Sequence, residues 1–134
     1  MSHPAHQSVI YTYRIKLERE ETFLTLLGQQ WPLLLKRHLV TEVPPLVYRG
    51  LDHHHQPVVV EVFTWESRRS IGLARESEEV VAHWNQMEAC LEPRGGQAAK
   101  EMLEIEPITP GGHEMLRIPL REKRLGYRLN SRTL

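Results

Sequence analysis

The sequence predicts an α+β fold of the ferredoxin-like kind, a βαββαβ sandwich with two helices over one side of a four-stranded antiparallel sheet. Two segments, 18–40 and 78–93, repeat apolar residues three and four apart, as helices packed on a core do. Others alternate at period two or are rich in valine, as strands are. Their order along the chain is strand, helix, strand, strand, helix, strand.

The first strand, 8–17, puts Val9, Tyr11, Tyr13, Ile15 and Leu17 on one face and Ile10, Thr12, Arg14 and Lys16 on the other. In the helix that follows, the apolar stripe runs through Phe23, Leu27, Gln30 or Trp31, Leu34 and His38. Acidic residues stand early and Lys36, Arg37 and His38 late, which suits the helix dipole. Pro32 has no amide hydrogen, so a kink or a restart is expected there. Pro44 and Pro45 end the helical run, and 47–51 and 58–65 form a hairpin around the turn DHHHQP. In its second strand Val58, Val60, Val62 and Thr64 face one way, and Val59, Glu61, Phe63 and Trp65 the other. After a short helical turn, Ser77 caps a helix with Glu78 and Glu79 in its first turn and Val80 or Val81, Trp84, Met87 or Glu88, and Leu91 on its stripe. Pro93, Gly95 and Gly96 stop it, and 98–108 holds the last strand.

At 134 residues with 40% apolar content, the chain can bury one core without staples, so a single domain over 8–110 is expected, after a flexible N-terminus at 1–7. Acidic and basic residues balance at 17 each, which offers no argument for nucleic acid or an anionic membrane. The balance is uneven, however: residues 111–134 hold six basic and two acidic side chains, net +4, and read as a basic arm lying on an acidic body. A single Cys90 excludes an internal disulfide. Neither a secretory leader nor a membrane-length apolar run is visible, so a cytoplasmic location is expected.

Three consecutive histidines, His53 to His55, raise the question of a metal site. Successive side chains of a strand point to opposite faces, so all three converge on one ion only if the backbone curls around it. The exposed tip of a hairpin is the stronger reading, and no metal or other cofactor is expected. Trp31, Trp65, Trp84 and Tyr13, with Tyr11 and Phe63, supply enough aromatic surface to line a cavity for a flat apolar ligand or to fill a core. His38 and His83 lie within helical segments, and His38, beside Leu34 and Leu35, is the candidate proton carrier.

The run VVVEVFTWESRRSIGLARESEEVVAHWNQMEACLEP resembles the second half of the antibiotic biosynthesis monooxygenase-like proteins of the dimeric α+β barrel superfamily. YTYRIKLEREETFLTLL is similar to their opening strand and helix start. The resemblance implies a dimer whose two sheets face each other and a pocket between sheet and helices; some members oxidise polycyclic aromatic substrates with dioxygen and neither metal nor flavin, others degrade haem, and many have no known reaction. Thr12 and Arg14 stand where the haem-degrading branch has an asparagine, which points away from that branch. In the strand order fourth, first, third, second, Arg14 would share a face with Glu61 and Glu104 and serve as the candidate anion-holding or acid/base residue.

Two functions stand side by side: a cofactor-free monooxygenase-like enzyme acting on a small apolar or aromatic compound, and a non-catalytic dimer that binds a small ligand or is purely structural. A homodimer is expected through the open sheet face, to which Ile10, Val59, Phe63 and Met102 are assigned. The strands lack the basic-aromatic signature of RNA-binding sheets.

Overall fold

A computed structural model describes residues 5–108 and 110. The elements are β1 (Gln7–Arg14), α1 (Glu20–Lys36) after a single 3-10 turn, β2 (Leu46–Leu51), β3 (Pro57–Trp65), α2 (Arg68–Arg75), α3 (Glu78–Glu88) and β4 (Lys100–Ile105). The strands form one antiparallel sheet in the order β2-β3-β1-β4, with the helices on one side. This is the ferredoxin-like α+β arrangement expected from the chain order.

Alternation decides which side chains the helices cover. Val9 pairs with Phe63, Tyr11 with Glu61 and Tyr13 with Val59, and all six are buried. Above them α1 lays down Phe23, Leu27, Gln30 and Leu34, and α3 contributes Val80 and Met87. An aromatic chain runs through this layer, Phe23 to Tyr13 to Tyr11 to Phe63 to Trp65, with ring centroids 4.9 to 5.8 Å apart.

The other face carries Ile10, Thr12, Val58, Val60, Val62 and Leu103. The assignment of Val59 and Phe63 to that face is therefore corrected: they pair with Tyr13 and Val9 beneath the helices. Met102, opposite Tyr11, also projects to the helix side.

The ends of the elements follow from their sequences. Ser77 Oγ accepts from the Val80 amide at 3.2 Å and caps α3, while the Ser67 amide donates to Ser70 Oγ at the start of α2. α1 continues through Pro32 as one helix and does not restart. It closes in a Schellman motif: the Leu39 amide reaches the Leu34 carbonyl and the His38 amide reaches that of Leu35, with His38 at φ 61°. At the hairpin tip, Asp52 Oδ1 accepts from the amides of His54 and Gln56. The three histidines are exposed there, and the described residues contain no cluster of metal-ligating groups. The expected basic arm, 111–134, lies outside the described residues.

Candidate functional site

Glu61 stands in the middle of β3 on the helix-covered face and is 1% exposed. A carboxylate that deep needs donors, and the neighbouring elements provide them. Tyr13 Oη donates to Oε1 at 2.8 Å, and Gln30 Nε2 of α1 reaches both oxygens at 3.2 and 3.3 Å. Gln30 is held in turn by Trp84, whose Nε1 donates to its Oε1 at 2.7 Å. Four elements, β1, β3, α1 and α3, thus fix one carboxyl group.

Burial raises the Glu61 pKa to about 7, against the opposing pull of the Tyr13 and Gln30 hydrogen bonds and of the Lys100 charge. The same burial, with the Glu61 charge next, pushes Tyr11 up to about 12 and Tyr13 well above the usual phenol range, so both phenols stay protonated as donors. Lys100 lies over the rings of Tyr11 and Trp84, 5.4 and 5.3 Å from their centroids, and its pKa falls, chiefly through desolvation.

Glu61 lies at the buried boundary of a cleft of about 310 Å³ between α1 and the edge of the sheet. Leu24, Leu27, Trp31, Pro45 and Val47 form its apolar walls, with Gly28 and Pro32 on the α1 side. No other ionisable side chain lines it among the described residues. Apolar walls around one aimed polar group are the usual make-up of a small-ligand site.

The candidates from the sequence are distributed differently. Trp31 lines the cleft, and Tyr13 lies behind it as the donor to Glu61. Trp65 is fully buried beside Phe63, and Trp84 is a half-buried support for Gln30 and Lys100. His38 is exposed beyond the end of α1 and is not among the residues lining the cleft. His83 ties α3 to α1 through the Leu26 carbonyl at 2.7 Å.

Arg14 pairs with Val58, on the opposite face from Glu61 and Glu104, so the expected three-residue arrangement does not form. Its guanidinium binds the Ala98 carbonyl at 2.7 Å and Glu101 at 3.2 Å. It also lines a larger hollow of about 450 Å³ on the open face, alongside Tyr48, Arg49 and Asp52. That hollow is more spacious, but it lacks a buried group poised to exchange a proton, so the chemistry points to the Glu61 cleft. Glu61 was legible only as the one charged residue on the strand face Val59, Phe63, Trp65.

These elements and their order define the fold of a class of small α+β proteins, and its solved examples include oxygenases. The chain has the fold of an antibiotic biosynthesis monooxygenase, with a TM-score of 0.58 at 14% identity over 77% of this chain and 99% of that one. SnoaB, a cofactor-independent oxygenase from Streptomyces nogalater, matches with 0.54 at 12% identity, over 80% and 98%. A conserved protein from Methanosarcina mazei Go1 gives 0.57 at 13%, over 77% and 93%. At these identities the likeness is one of fold. No family model and no curated protein matches the sequence.

Proposed function

We propose that this chain is a small oxygenase in which Glu61 takes a proton from an apolar or aromatic compound bound in the cleft beside Trp31. The carrying observation is the buried carboxyl group, raised to about pH 7 and facing an otherwise apolar cleft. A general base works best with a pKa near the operating pH, and Glu61 meets that condition. Removal of a proton from a ring methylene flanked by carbonyl or aryl groups leaves a delocalised carbanion. Dioxygen can oxidise that anion; the methylene becomes a carbonyl and the second oxygen atom leaves as water, with the substrate as the only reductant. SnoaB, described as cofactor-independent, supports this route by fold alone.

Tyr13 and Gln30 hold the carboxylate in place, and the proton it accepts leaves them as neutral partners. We extend the proposal to a cytoplasmic homodimer joined through the open sheet face. Among the described residues, no helix is long and apolar enough to cross a membrane.

A second reading is favoured by the same hydrogen bonds: the chain from Trp84 through Gln30 to Glu61 also fastens helices to sheet, as in a purely structural or binding protein. Oxygen uptake separates the two. With polycyclic ketones bearing an acidic ring methylene, the wild type is expected to consume oxygen at a rate that rises with pH through about 7. Glu61→Gln is expected to be slower by roughly 100-fold or more with its fold intact. A folded Glu61→Gln variant as fast as wild type would remove Glu61 from the chemistry.

A further inference from the structure

We infer that the hollow on the open face of the sheet is a second ligand site, in which Arg14 holds the carboxylate of a small apolar acid. It is separate from the Glu61 cleft and does not rest on the chemistry proposed there.

Arg14 is 6% exposed, and at that depth the five N–H groups of its guanidinium call for acceptors. Among the described residues its side chain makes one hydrogen bond, from Nη1 to the Ala98 carbonyl at 2.7 Å. Glu101, half exposed, stands 3.2 Å from the same nitrogen. Nε and Nη2 donate to none of the described residues, and neither atom is sealed from solvent. These two nitrogens form the edge of the guanidinium that grips a planar carboxylate through parallel bonds. Arg49 uses that edge on Glu20, with Nε and Nη2 each on one oxygen. Arg14 lines the hollow of about 450 Å³, so its unclaimed edge is available to a ligand there.

The other ionic side chains of the lining are already matched, Arg49 by Glu20 and Asp52 by Arg94. An anion therefore gains a partner at Arg14, whereas a cation would meet the guanidinium with the neighbouring Glu101 already engaged. The walls decide what the anion is attached to. Gly50, Val58 and Arg14 stand in one row across β2, β3 and β1, and Tyr48 and Val60 in the next row on the same face. A Cβ on Gly50 would meet nothing within 4 Å, so the row is open beside Val58. Tyr48 and the two valines give apolar sides, and no Lys lines the hollow among the described residues. One planar fork among apolar walls suits a carboxylate on an apolar body better than a phosphate. Tyr48, Val58 and Val60 also lie on the face proposed for the dimer, so the acid would sit where two copies meet, away from the water that weakens such pairs.

Calorimetric titration of the full chain with naphthoate, naphthamide and inorganic phosphate tests this. Wild type is expected to bind naphthoate roughly tenfold or more tighter than naphthamide, which has the same body without the charge, and tighter than phosphate by a similar factor. Arg14→Lys keeps the charge and loses the fork, and should weaken naphthoate binding roughly tenfold. Gly50→Leu fills the open row and should abolish binding while melting no lower than wild type, which keeps the test decisive if Arg14→Lys does not fold. Glu61→Gln should bind naphthoate like wild type; a loss there would put the acid in the cleft and overturn the inference. It is equally overturned if wild type binds no naphthoate, if it takes the amide or phosphate as well as the acid, or if folded Arg14→Lys or Gly50→Leu binds undiminished.

Discussion

Glu61 lies directly opposite Tyr11 in the strand pairing, and its charge rests mainly on the neutral donors Tyr13 and Gln30, with Lys100 as a more distant cation. That has a thermodynamic signature. Between the ordinary value of 4.5 and about 7, the folded state holds a proton that the unfolded chain has already released. The unfolding free energy therefore falls as pH rises through this window, by roughly 3 kcal/mol from this group. Denaturant titrations at pH 5 and pH 8 should show that decline in wild type and a flatter profile in Glu61→Gln; parallel profiles would contradict it. His38 presents the opposite case, a residue whose chemistry drew notice but whose backbone explains it. At φ 61° it occupies the left-handed position that glycine takes most readily. His38→Gly is expected to raise stability by about 1 kcal/mol, seen as a higher denaturation midpoint. Periodicity marked both residues, but it could not show that one strand position lies under α1 while the helix ends before the other. Those facts depend on how elements meet in space.

At the scale of elements, local patterns were informative because each rule involved neighbours in sequence. Ser77 as a cap, the alternation of β1 and β3 and the turn around Asp52 are all present. Failures came where a distant partner decided the outcome. Pro32 was expected to kink or restart α1, and no restart occurs: the helix continues, with Leu27 and Leu34 packed on the core to either side of the proline. The open face was assigned Val59 and Phe63, although the alternation already separated them from Val58, Val60 and Val62; only the side on which the helices lie was missing. Arg94 shows the same dependence. In the loop after α3, its side chain binds Asp52 at 2.8 Å and the carbonyls of Ile15 and Pro57 at 2.9 and 2.8 Å. It thereby pins the hairpin turn to the end of β1, and holds the Asp52 carboxyl far below the usual range, chiefly through this hydrogen bond. Arg94→Ala removes the ion pair to Asp52 and one donor from each of the two carbonyls, so a loss of stability is expected. Urea unfolding measures it, and a midpoint unchanged from wild type would show that the pin is dispensable.

For the whole molecule, the main physical problem is a sheet with only one face covered by helices. Ile10, Val58, Val60 and Val62 form an apolar band across the central strands on the other face. Leu46 and Tyr48 extend it on β2, 57% and 59% exposed, and Leu103 on β4 is 46% exposed. Contiguous apolar surface of this kind marks an association site more often than a free one. A second copy brings an identical band, and a two-fold axis through it closes the assembly without leaving a further sticky face. Sedimentation equilibrium at micromolar concentration should therefore report a dimer. Val60→Asp places a charge at the centre of the band, where the opposing surface is equally apolar and offers no counter-ion. That variant should sediment as a folded monomer, with the Glu61 network intact on the far side of the sheet. A monomeric wild type, or a Val60→Asp variant that still dimerises, would mean that the two copies do not meet through this face.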